Sequence, residues 1–134
     1  AQILEHLDAL ATHTGVTAAA VYGGVGMGPQ ERAFRQGVDV IVATPGRLLD
    51  HLKQPYASLA GVRHLVLDEA DRMLDMGFLP DIKRILKQLP AERQTLFFSA
   101  TMPTAILRLA DELLKSPVKI ETDRVSQPAR GITQ

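Results

Sequence analysis

The chain predicts an α/β fold, a parallel sheet flanked by helices. Short apolar runs alternate with amphipathic helical stretches, the signature of βα units feeding a parallel sheet. The apolar runs are nearly continuous rather than alternating, as expected of strands covered on both faces. Three of them end abruptly in polar clusters, and ligands of open parallel sheets sit at the carboxyl ends of strands.

Residues 1–13 read as a helix, with Ile3, Leu4, Leu7, Leu10 and Ala11 at helical spacing. "VTAAAVYGG" (16–24) reads as a strand stopped by two glycines. "PQERAFRQG" (29–37) is a short helix with proline in its first turn and glycine at its end. "VDVIVAT" (38–44) is a strand and "PGRLLDHLKQ" (45–54) a helix opened by proline. "VRHLVLD" (62–68) is a strand, followed by a short helix carrying Met73 and Met76. "FLPDIKRILKQL" (78–89) is helical, with Ile82, Ile85, Leu86 and Leu89 on one face. "QTLFFSA" (94–100) is a strand, "TAILRLADELLK" (104–115) a helix and "VKIET" (118–122) a last strand. The tail "DRVSQPARGITQ" has the composition of a linker, and no internal repeat is present.

Length and charge bound the function. A chain of 134 residues suits one domain. Fifteen basic residues cancel fifteen acidic ones, so nothing in the bulk charge drives the chain to nucleic acid or membrane, and such contacts need a local patch. With no cysteine, disulfides and thiolate-bound metals are excluded. That composition fits a cytoplasmic protein. No secretory signal and no apolar run long enough for a bilayer is present, so no membrane partner is expected.

The polar strand ends are Thr44-Pro45-Gly46-Arg47, Asp68-Glu69-Ala70-Asp71 and Ser99-Ala100-Thr101. If the strands are parallel, all three clusters fall on one rim of one sheet. An Asp at the tip of an apolar strand can hold Mg²⁺ through water beside a bound triphosphate. A following Glu can orient or deprotonate the attacking water. A lone strand-end acid more often just caps the next helix. Three polar tips together favour the chemical reading.

The motifs then carry a resemblance. "VLDEADRMLDMGF" resembles the signature of the DEAD-box RNA helicases, "VATPGRLLDHL" their TPGR motif, "YGG" their double-glycine motif and "LFFSATMP" their SAT motif, all in the family's order. The style resembles the bacterial members. The resemblance covers nearly the whole chain and implies a RecA-like parallel sheet flanked by helices. It implies a partial first RecA-like domain over 1–121 and, over 122–134, a linker towards a second RecA-like domain. The implied activity is RNA-stimulated ATP hydrolysis coupled to duplex unwinding, with ATP and Mg²⁺ as cofactors. RNA, contacted through its backbone, and the second domain are the implied partners. Residue by residue, Asp68 would hold Mg²⁺ through water and Glu69 would orient the hydrolytic water. Asp71 would bond to Ser99 and Thr101 and link the nucleotide site to RNA. Gly23, Gly24, Thr44, Pro45, Gly46 and Arg47 would line the RNA backbone.

The chain also departs from that family. No G-x-x-x-x-G-K-[ST] occurs, and "GGVGMGP" (23–29) lacks the Lys and Ser/Thr of a phosphate cradle. The upstream glutamine motif and the first RNA motif are missing as well. The expectation is therefore a truncated sheet without the phosphate-loop strand and the strand after it, and an isolated chain without ATPase activity. Two other classes compete. A phosphoacceptor signalling domain would need an acidic pair on the first strand, which instead ends in Tyr22-Gly23-Gly24. A non-catalytic RNA- or protein-binding module made from part of a helicase domain is the stronger alternative. His6, His13, His51 and His64 lack metal-ligand spacing. Phe97, Phe98, Met73 and Met76 read as packing residues, and Lys83, Arg84 and Lys87 as a solvated face.

Overall fold

The structure, a computed structural model, describes residues 2–122. The expected linker lies outside them apart from its first residue. The elements run α1 (Gln2–Ala11), β1 (Ala18–Val21), α2 (Met27–Gln36), β2 (Val40–Ala43), α3 (Pro45–Leu52), β3 (His64–Leu67), α4 (Ala70–Asp75), α5 (Leu79–Leu86), β4 (Gln94–Phe97) and α6 (Thr104–Leu113).

The fold is α/β with parallel strands, as expected, but the strands form two pairs rather than one sheet. β1 pairs with β2, Ala18 opposite Val40 through Val21 opposite Ala43. β3 pairs with β4, His64 opposite Gln94 through Leu67 opposite Phe97. No ladder joins the pairs among the described residues. Helices join them instead. α3, which follows β2, packs on α5, which follows β3. Leu48, Leu59 and Ile85 form the buried centre of that contact, with Phe34, Leu49, Leu52, Val62 and Leu89 around it. The apolar stripe of α5 turns inward through Ile82 and Ile85 as its spacing predicts. On the other side, α6 buries Ile106, Leu109 and Ala110 and packs on α4.

Five expectations fail. Burial along β3 and β4 alternates, and the cross-strand partners Val66 and Leu96 stand 56% and 37% exposed, so one face of this pair is uncovered. Phe98, just past β4 on that side of the chain, is also exposed, as is Met76. The expected strand over 118–122 does not form. Among the described residues Val118 and Ile120 have no ladder partner, and both lie in solvent; extended backbone gains nothing until it is paired. On α1, Leu4 and Leu7 are half-buried against β1, while Ile3 and Leu10 face water. α2 begins at Met27, two residues before the proline, and ends on Gly37 at φ 73°, a conformation that glycine adopts without strain.

Candidate functional site

Each strand pair presents its carboxyl ends together, because parallel pairing in register forces both chains to leave at the same end. The ladder of the second pair extends past β3 and β4: the Phe98 N–H donates to the Leu67 carbonyl and the Ala70 N–H to the Phe98 carbonyl. This holds Asp68, Glu69 and Asp71 beside Ser99 and Thr101. Asp71 Oδ2 accepts from the Thr101 N–H at 2.8 Å and from the Thr101 hydroxyl at 2.7 Å. The Asp71 N–H donates to Ser99 Oγ, which donates in turn to the Thr101 carbonyl at 2.7 Å. The Thr101 hydroxyl, foremost, holds the Asp71 carboxyl below its usual range, so it is ionised at neutral pH.

Asp68 and Glu69 are exposed at the tip of β3. Asp68 Oδ1 accepts the Glu69 N–H at 2.8 Å. Glu69 adopts φ 50°, ψ 46°, a left-handed conformation that costs a non-glycine residue about 1 to 3 kcal/mol and recurs at functional sites. Its side chain pairs with Arg72 at 3.0 Å, both partners in solvent. Among the described residues, no group of three or more His, Asp or Glu side chains could hold a metal ion by itself. One exposed carboxylate does fit Mg²⁺, which takes one or two carboxylates and completes its shell with water and substrate phosphates.

The first pair carries the second cluster. The Thr44 N–H donates to the Val21 carbonyl, aligning the Tyr22-Gly23-Gly24 turn with the start of α3. Gly24 sits at φ 83°, which only glycine takes readily. Thr44 has extended backbone at the N-terminus of α3, and Pro45 and Gly46 form its first turn. Arg47 Nη1 donates to the Val25 carbonyl at 2.8 Å, leaving further guanidinium donors for another partner. The structure therefore brings Gly23 and Gly24 to Thr44–Arg47, and Asp68–Asp71 to Ser99–Thr101. The single rim expected from the sequence is divided between two strand pairs.

Sequence reasoning missed a buried network beneath the glycine turn. His51 is wholly buried and Gln30 nearly so. Gln30 Nε2 donates to the Tyr22 carbonyl at 3.0 Å. His51 Nε2 lies 3.0 Å from Gln30 Oε1, and Nδ1 lies 2.9 Å from the Tyr56 hydroxyl. Burial holds the His51 imidazole below its usual range, so it is neutral at neutral pH. The available signal was His51 four residues after Arg47, on the same face of a helix whose neighbours Leu48 and Leu52 are apolar.

A sequence profile described as DEAD/DEAH box helicase matches residues 1–109. The chain is 48% identical over 126 residues to DEAD-box ATP-dependent RNA helicase 40 of Oryza sativa subsp. japonica, covering 94% of this chain and 16% of that protein. It is 43% identical over 135 residues to DEAD-box ATP-dependent RNA helicase 14 of Arabidopsis thaliana, covering 99% of this chain and 22% of that protein. A crystal structure of a hypothetical ATP-dependent RNA helicase from Sulfolobus tokodaii superposes with a TM-score of 0.81 at 35% identity, covering 86% of this chain and 34% of that one. The chain thus spans about a fifth of the length of these curated relatives, which are plant proteins, and the bacterial style read from the motifs gains no support from them.

Proposed function

The chain belongs to the DEAD/DEAH box helicase family, and from that premise we propose that it contributes the hydrolytic carboxylates and an RNA-backbone surface to an ATP-dependent RNA helicase. The observation that supports this most is Asp71 receiving both donors of Thr101 across two strand tips, beside Asp68 and Glu69. Mg²⁺–ATP, when bound, supplies the electrophilic γ-phosphate and the cation that offsets its charge. Asp68 would hold that cation. Glu69, on its left-handed turn, orients the attacking water and takes its proton. Asp71, Ser99 and Thr101 transmit the state of this site to RNA. Gly23, Gly24, Thr44, Pro45, Gly46 and Arg47 face the RNA backbone, where close approach and positive charge bind phosphates without reading bases.

We further propose that the family's phosphate-loop strand and the strand after it would stand at the free edges of the β3–β4 pair, in the first of two RecA-like domains. Residues 1–121 make part of that domain and 122–134 link it to the second. The 134-residue chain alone then lacks the phosphates' cradle and releases no phosphate above buffer. A cytoplasmic location accords with this reading. Among the described residues no helix is long and apolar enough to cross a membrane. In the full-length protein, Glu69→Gln is expected to lower the RNA-stimulated rate at least about a hundredfold, the lower end of what general base catalysis supplies, with ATP affinity kept. Equal loss of ATP affinity, or an unchanged rate, would sink the assignment.

A further inference from the structure

Two groups on one face of α3 grip the glycine turn at its two ends. Arg47 bonds the Val25 carbonyl directly. One helical turn later, His51 reaches the Tyr22 carbonyl through Gln30. Gly23 and Gly24 lie between the two gripped carbonyls. An added Cβ at either glycine would meet nothing within 4 Å, so neighbouring atoms do not crowd the glycines. The two carbonyl bonds, with that from the Thr44 N–H to the Val21 carbonyl, fix where the ends of the turn lie.

The network has a fixed polarity. Gln30 must present Nε2 to the Tyr22 carbonyl, because the flipped amide would set oxygen against oxygen. Its Oε1 then faces His51, so His51 Nε2 carries the proton and Nδ1 accepts from the Tyr56 hydroxyl. Phe34 lies 5.1 Å from the imidazole centroid and closes the site, and Arg35 stands 5.0 Å over the Tyr56 ring. Every polar atom of the relay is satisfied and the ring is shut away from solvent, so the relay is rigid.

We propose that His51, acting through Gln30, is a positioning residue for RNA binding: it holds the Tyr22 carbonyl so that the Gly23–Gly24 backbone and Arg47 meet the RNA phosphates in register. This rests on the RNA surface proposed above. The test uses the full-length protein, a fluorescein-labelled uridine 12-mer and a non-hydrolysable ATP analogue. His51→Leu removes both bonds of the ring, and Gln30→Met removes the relay while filling its volume. Each is expected to weaken RNA binding about five- to tenfold, the scale of one buried hydrogen bond lost. The loss appears in the RNA Kd and not in the ATP Kd. His51→Gln, which restores an amide donor near the Nε2 position, returns affinity to within about twofold of wild type on the same scale. If His51→Leu does not fold, Gln30→Met carries the test. Folded variants with unchanged RNA affinity, an equal loss of ATP affinity, or no rescue by His51→Gln would overturn the proposal. Arg47→Ala is measured alongside. If it weakens RNA binding and the relay variants do not, positioning alone is wrong; if it leaves RNA binding intact, the RNA surface itself is wrong and the proposal falls with it.

Discussion

The molecule carries the same clip twice, at opposite ends of its two strand pairs. At the amino end of β1–β2, Asp39 Oδ2 accepts from the Thr17 N–H and hydroxyl, both at 2.8 Å. At the carboxyl end of β3–β4, Asp71 Oδ2 accepts from the Thr101 N–H and hydroxyl at 2.8 and 2.7 Å. Donors, acceptor and distances agree, and both carboxyls are held below their usual range. Bond geometry therefore says nothing about which clip works and which merely holds. Position does. Ligands of parallel strands gather at the carboxyl ends, where loops diverge and N-termini of helices point outward. Among the described residues only the Thr101 clip has such neighbours: Ser99 within its own network, and Asp68 and Glu69 on the same strand tip.

Breaking each clip separately gives the largest contrast. In the full-length protein, Thr101→Val is expected to lower RNA-stimulated ATP hydrolysis by about tenfold or more, on the scale of losing a transition-state-coupled hydrogen bond, whereas Thr17→Val leaves it within about twofold, the ordinary cost of a surface change. Steady-state phosphate release on both variants decides; equal losses would mean that position carries no information. A second contrast concerns packing. Ile85→Ala opens the α3–α5 core and is expected to cost about 2 to 4 kcal/mol, while Val66→Ala on the uncovered face of β3 costs under about 1 kcal/mol. Chemical denaturation reads both, and a larger cost at Val66 would show that something covers that face. The smallest effect is in pH. Because both carboxyls are depressed in the fold, their clips contribute fully above the ordinary value of 3.8 and are lost only as pH falls below it. Carbon-detected NMR titration is expected to place both midpoints below 3.8. Thr101→Val should raise Asp71 alone, by removing its foremost lowering contact, whereas Thr17→Val should raise Asp39 alone and only in part, because the Thr17 N–H, its foremost one, stays.

Much of the fold was legible because periodicity is a local property. Ile82 and Ile85 are buried as their spacing requires, and Pro45 opens α3 as its missing N–H allows. The parallel pairing was legible too, from strands alternating with helices. What sequence could not supply was what lies on each side of a strand. Val66 and Leu96 read as doubly buried because they are apolar, yet their exposure depends on whether another element covers them. The strand expected at 118–122 failed for the same reason, since pairing is a property of two segments and not of one. The strand-tip residues were legible as clusters because their spacing is local. The His51–Gln30 relay was not, since it joins residues 21 apart that no motif links. The division of the rim into two pairs was hidden from periodicity, because it depends on which strands find ladders; only the strand order implied by the family resemblance left gaps beside the Asp68–Ser99 strand pair.

The most direct measurement is the salt dependence of RNA binding by the full-length protein, compared among wild type, Arg47→Ala and Glu69→Gln on two RNAs of unrelated sequence. If the α3 surface binds RNA phosphates while the β3 tip serves the nucleotide, Arg47→Ala lowers the slope of log affinity against log salt by roughly one unit or less, equally on both RNAs, because one phosphate contact releases about one counterion. Glu69→Gln leaves that slope unchanged. A loss confined to one RNA, an unchanged slope in Arg47→Ala, or an equal fall in Glu69→Gln would contradict the separation of the two sites.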